Sequence, residues 1–177
     1  MSNETEMKDN VREDVYDKEL FDRLLDQNDI DEFRKEFLEL HNYEQSEYFE
    51  DTDDENRQKI FEFLSPKEVA NFFDQLDFDD DDYESLFDNM DATYASHVLE
   101  EMSYDNAVDI LNELSKPKVA SLLTLMNKDK ANEIKALLHY EEDTAGGIMT
   151  TEFISLKSTT PVKEALIHVK EQAPDAE

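Results

Sequence analysis

The sequence is short of several things, and each shortage excludes something. It has no cysteine, which removes disulfides, thiolate metal sites and cysteine nucleophiles. It has only two glycines, adjacent at Gly146 and Gly147, and no Gly-rich phosphate loop or nucleophile motif. Its four histidines, His41, His97, His139 and His168, are scattered without zinc-type spacing. No apolar run approaches the ~20 residues of a membrane span; the longest is residues 119–126. The first fifteen residues are polar and acidic, unlike a secretory signal. A soluble cytosolic chain without enzymatic activity is the expectation.

Basic residues are also scarce, 17 against 47 acidic ones, for a net charge of −30. Nucleic acid and anionic lipid are thereby excluded as partners, because phosphate contacts need clustered Lys and Arg. Cations and basic surfaces are favoured instead. A shell that serves only solubility is the competing reading.

Apolar residues make up 38% of the 177, enough for a core. Their order is periodic. Leu64, Leu76, Met90, Met102, Leu114, Met126 and Leu138 follow one another at twelve residues, with one interval of fourteen. Counting back from six of these gives sets spaced i, i+3, i+4, i+7, one helical face. The sets are Val69, Phe72, Phe73, Leu76; Tyr83, Leu86, Phe87, Met90; and Ala95, Val98, Leu99, Met102. Then come Ala107, Ile110, Leu111, Leu114 and Val119, Leu122, Leu123, Met126. Ala131, Ile134 and Leu138 close the series, with Lys135 breaking it.

One continuous helix is ruled out. At 100° per residue a twelve-residue period turns the apolar stripe by about 120° each repeat, and no single surface could bury it. The residues after the anchors, Ser65, Asp77, Asp91, Ser103, Ser115 and Asn127, are all good N-caps. Ser65-Pro66-Lys67-Glu68 adds proline at the first helical position and a capping-box glutamate. Helices this short are unstable alone, so they must stack. The predicted fold is mainly α, a right-handed superhelical stack of short helices, an α-solenoid with a repeat of about twelve residues.

Upstream, residues 15–25 and 29–40 read as helices, the second presenting Ile30, Phe33, Phe37 and Leu40 on one face. Thr52-Asp53-Asp54-Glu55 reads as a capping box opening a further helix through Ile60, Phe61 and Leu64. Downstream of Tyr140 the character changes. Phe153-Ile154-Ser155-Leu156 is strand-like, and residues 159–170 are helical, with Val162, Ala165, Leu166 and Val169 on one face. One strand and one helix cannot bury a sheet face, so this piece reads as the opening of a second domain.

The run Tyr140-Glu-Glu-Asp-Thr-Ala-Gly-Gly-Ile-Met-Thr-Thr-Glu-Phe153 resembles the junction between the helical N domain and the first cystathionine-β-synthase (CBS) domain of MgtE-type magnesium transporters. Thr160-Pro-Val-Lys-Glu-Ala-Leu166 is similar to that domain's first helix, and the likeness covers roughly residues 52–177. Residues 1–11 read as a disordered tail, and the resemblance implies a helical N domain (12–139), a linker (140–147) and an incomplete α/β first CBS domain (148–177). It also implies a cytosolic Mg²⁺ sensor whose acidic surfaces, bridged by ions, close a membrane pore. The implied partners are Mg²⁺, the CBS pair and the membrane domain, with a homodimer through the CBS domains. The helical repeats alone are also similar to a flagellar motor switch protein, which leaves an acidic protein-interaction module as the alternative.

Regulatory Mg²⁺ sites keep several waters and use one or two carboxylates. Asp105 and Asp109, at i and i+4, fall opposite the inward set of their repeat, both facing water. The stretch around them resembles the family segment that carries two Mg²⁺-binding aspartates, so the resemblance makes Asp105 and Asp109 the candidate metal ligands. A further family ligand falls at Asn71, where the charge is lost. The tract Asp77-Phe-Asp-Asp-Asp-Asp-Tyr-Glu84 is not an EF-hand, since Asp82 occupies the glycine position and Asp88 the last. It reads as a solvated turn, with a loose cation-attracting loop as the alternative.

Overall fold

The computed structural model describes residues 16–76, 78, 80–140, 144–146, 149 and 153–173, without the side chains of Asp80 and Asp81. The expected disordered tail, the cap at Asp77 and most of the junction motif lie outside the described residues. Within them are eleven helices: α1 (Lys18–Asp26), α2 (Ile30–Phe37), α3 (Asn42–Glu50), α4 (Asp54–Phe63), α5 (Pro66–Phe73), α6 (Asp80–Asn89), α7 (Ala92–Glu101), α8 (Tyr104–Asn112), α9 (Lys116–Leu125), α10 (Lys128–Leu137) and α11 (Val162–Gln172).

Short polar side chains start most of them. Asp17, Asp29 and Asp53 accept the backbone N–H three residues on, at 3.0, 3.3 and 2.9 Å. Ser65 and Glu68 form the expected capping box on α5, and Asp91 accepts from Thr93 and Tyr94 at 3.0 Å each. The cap of α4 is Asp53 rather than Thr52. Thr52 is buried, and its hydroxyl donates to the Tyr48 carbonyl at 2.6 Å. Ser103 and Ser115 occupy cap positions without making the side-chain bond. Asn28 supplies the one left-handed backbone position among the described residues (φ 57°), turning the chain between α1 and α2.

From α3 onward the main packing is between second neighbours, whereas upstream α1 packs on its sequence neighbour α2 and on α4. α3 lies on α5, α5 on α7 and α7 on α9, while α8 lies on α10. This follows from the rotation of the apolar stripe between repeats: α5, α7 and α8 face across the stack more than onto their sequence neighbours. The expected inward positions are buried in α5, α7 and α8, from Val69 and Phe72 through Leu99 to Leu111. In α10 the pattern shifts by one, with Leu137 buried and Leu138 only partly so. The first half of the core is aromatic. Phe37 meets Phe72 edge-on at 5.8 Å, and Phe49 meets Phe72 and Phe73 at 5.5 Å, fastening the upstream helices to the repeats.

α3 has no counterpart in the sequence reading. Its buried face mixes Tyr48 and Phe49 with Gln45 and Ser46. Ser46 is satisfied locally, donating to the Tyr43 carbonyl, and Gln45 donates to the Leu40 carbonyl while its Oε1 has no partner among the described residues. The strand expected at Phe153–Leu156 is absent; residues 153–157 form no ladder, because a strand needs a partner to pair with. α11 forms as expected, but none of its residues is buried.

Candidate functional site

Many acidic residues are already engaged in holding the stack together. Glu68 is gripped two-handed by Arg34, at 2.6 and 2.9 Å, and also accepts from the Ser65 amide and hydroxyl at 2.8 Å. Burial pushes the Glu68 carboxyl up, but Arg34 and Ser65 together hold it below the usual range. Glu84 of α6 accepts from the Ser115 amide and hydroxyl at 2.8 Å, capping α9 from thirty-one residues away. Those bonds hold its carboxyl low. Glu100 caps α10 through the Asn127 amide, and Asp88 pairs with Lys118. Asp22 accepts from Tyr48, whose phenol is pushed up by burial and by that bond. Most of these long-range partners carry no sequence signal. The Ser65–Glu68 box, which is local, does.

Basic residues are likewise built in. Arg57 lies over the rings of Phe49 and Phe78, 5.3 and 5.2 Å from their centroids, and donates to the Phe49 and Glu50 carbonyls that end α3. Arg34 does the same for α4 through the Phe63 carbonyl at 2.7 Å. These contacts satisfy carbonyls that a helix end leaves open.

The candidate ligands lie on α8. Ala107, Val108, Ile110 and Leu111 are buried, fixing its inward face, and α8 packs on α10. Asp109 is exposed, as expected. Asp105 is not fully in water: it is half-buried, and its Oδ1 is shut from solvent with no hydrogen-bond partner among the described residues. Ser103 Oγ, two residues earlier, is in the same condition. The first turn of α8 turns Asp105 toward the protein, so the two aspartates are not equivalent. Among the described residues, no three His, Asp or Glu side chains gather as a metal site. Asn71 is exposed on α5, which packs mainly on α3 and α7. In the acidic tract Asp82 is exposed and Glu84 is the cap of α9; Asp77 and Asp79 lie outside the described residues.

α8 thus carries two carboxylates at i and i+4, one of them with an oxygen that meets no donor among the described residues. The profile of the MgtE intracellular N domain matches residues 40–143. The chain belongs to the MgtE intracellular N domain family.

A magnesium transporter MgtE of Enterococcus faecalis is 45% identical over 148 residues, 84% of this chain and 33% of the relative. The MgtE of Thermus thermophilus is 47% identical over 45 residues, 25% of this chain and 10% of the relative. The chain thus spans about a third of the length of the first of these. Among solved structures, the soluble part of a magnesium transporter superposes with a TM-score of 0.84 at 42% identity, over 90% of this chain and 62% of that one. The cytosolic domain of the Mg²⁺ channel MgtE in complex with ATP superposes at 0.80 and 24% identity, over 90% and 65%, a likeness of fold. Among the described residues, no helix is long and apolar enough to cross a membrane.

Proposed function

We propose that the chain is the Mg²⁺-sensing part of a magnesium transporter, with Asp105 and Asp109 of α8 as ligands. The carrying observation is Asp105, a carboxylate whose inner oxygen has no donor, one turn from an exposed aspartate in a domain of this family. Mg²⁺ retains most of its waters and needs only one or two protein carboxylates. Binding is weak, roughly sub-millimolar to millimolar for so few ligands. Ions bridging this acidic face to the rest of the transporter favour a compact, pore-closing arrangement, and their loss releases it.

Residues 148–177 open the first CBS domain in this reading. The support is α11, a helix with an apolar face none of whose residues is buried among the described residues. The transporter's membrane part and CBS pair are the partners, a homodimer forms through the CBS domains, and we assign the chain no enzymatic role. The test is limited proteolysis of a full-length transporter carrying this domain. Mg²⁺ protects the wild type from cleavage, and Asp105→Asn with Asp109→Asn removes that protection. Equal protection of wild type and variant overturns the assignment.

A further inference from the structure

The chain leaves the stack at Tyr140, whose backbone is tied to the end of α10. Its amide donates to the Leu137 carbonyl at 2.9 Å, and Leu137 is buried in the core. The ring itself is half in solvent, at 49% exposure, and its position is set by two side-chain torsions.

Six residues on, Gly146 comes up against that ring. A Cβ on Gly146 would lie 2.3, 2.6 and 2.8 Å from Cδ1, Cγ and Cε1 of Tyr140, far inside van der Waals contact. One edge of the ring therefore occupies the place where any other residue would carry its side chain. Cγ is among the three atoms, and it moves only if the first torsion changes rotamer.

Two reasons for a glycine can be separated here. A left-handed backbone calls for glycine whatever its neighbours, but no glycine among the described residues has a positive φ. What remains is space. At an ordinary φ, alanine is the more stable choice where there is room for it, because a glycine loses more freedom on ordering. The Tyr140 ring takes that room.

The contact also fixes a distance. It places the Cα atoms of Tyr140 and Gly146 within about 7 Å of each other, where six extended residues would span about 20 Å. Ends this close, packed by a side chain of the segment itself, are the mark of a compact surface loop. We propose that Tyr140 and Gly146 form a clasp that joins the segment leaving α10 to the helical stack, so that whatever follows turns about a pivot beyond Gly146 and does not swing from Tyr140. The linker expected at residues 140–147 is then no free tether. A short, directed connection raises the effective concentration of the next domain at the surface of the stack, and one aromatic ring sets the direction from which that domain approaches. The clasp needs no ion and stands apart from the Mg²⁺ reading.

The test is ¹⁵N relaxation of the 177-residue chain in EDTA. The chain has only two glycines, both here, so their amide signals report on the site with little overlap. Gly146 is expected to be as ordered as α10, with an order parameter of about 0.85 against less than about 0.6 for a free linker. Nuclear Overhauser effects should join its Hα protons to the Tyr140 ring. Tyr140→Phe keeps the ring and the order, whereas Tyr140→Ala drops Gly146 below about 0.6. Gly146→Ala then separates the clasp from backbone stiffness. Chain entropy alone predicts that alanine orders the loop; the clasp predicts that it loosens the exposed neighbour Ala145 when Tyr140 is present, and not in Tyr140→Ala. An unchanged circular dichroism melt checks that the stack is intact in each variant. The proposal is overturned by a flexible Gly146 in the wild type, by a Tyr140→Ala variant with unchanged order, or by Gly146→Ala ordering the loop in both backgrounds. A stack that binds no Mg²⁺ would alter none of these results.

Discussion

Arg34 joins three elements through one side chain: α2, which carries it, the end of α4 at Phe63, and the Ser65–Glu68 cap of α5. The pair is only partly exposed, at 35% and 22%, so solvent screening reduces its worth without abolishing it. Arg34→Ala is expected to cost about 1–2 kcal/mol in urea denaturation, from the lost charged hydrogen bonds and an uncapped α4. Arg34→Lys recovers little of it, since one ammonium cannot replace the two-handed grip.

The same residue sets a pH dependence. The Glu68 carboxyl titrates below its ordinary 4.5 in the folded state, so the unfolded state binds the proton first as pH falls. Its stabilisation is therefore complete above about pH 4.5 and is lost as pH drops through the lower folded-state value. Thermal melts between pH 7 and pH 3 should show a falling Tm below about 4.5, with a shallower fall in Glu68→Gln. At this scale the sequence was half legible. The Ser65–Glu68 box could be read because it is local. Arg34 and Glu84 could not be assigned, because their partners lie 34 and 31 residues away.

Among the elements, start signals were legible and their chemistry was not. Asp91 accepts two backbone amides and Ser103 accepts none, although both hold the same position in the repeat. Asp91→Ala should cost about 1 kcal/mol. Ser103→Ala should fall within about 0.5 kcal/mol of the wild type, since it removes a buried hydroxyl that has no partner. Chemical denaturation of the two variants checks the contrast. The missed helix α3 has the same cause as the misplaced α4 cap. Gln45, Ser46 and Thr52 are buried and each donates to a nearby carbonyl, so polarity there did not mean exposure. The expected strand at residues 153–156 depended on a partner strand that no local pattern supplies.

For the whole molecule, the twelve-residue period carried the fold, because rotation of the stripe between repeats forces stacking with second neighbours. The aromatic seam between the upstream helices and the repeats is a tertiary fact. Phe72 touches Phe37, Phe49 and Phe73 and is fully buried. Phe72→Ala should cost about 3–5 kcal/mol and, if the seam couples the two halves, split one calorimetric transition into two. The candidate site was legible as a pair of positions but not in its asymmetry. Helix periodicity placed Asp105 and Asp109 on one outward side, whereas the first turn of α8 leaves Asp105 Oδ1 shut in and Asp109 exposed.

That asymmetry gives the central claim its most direct measurement, an NMR titration of this chain with MgCl₂ against KCl at matched ionic strength. Saturable Mg²⁺-specific shifts are expected in the carboxylates and amides at the start of α8, Asp105 foremost, and should vanish in Asp105→Asn with Asp109→Asn. If α8 responds to Mg²⁺ and K⁺ alike, or the variant retains the response, these aspartates are not the Mg²⁺ sensor.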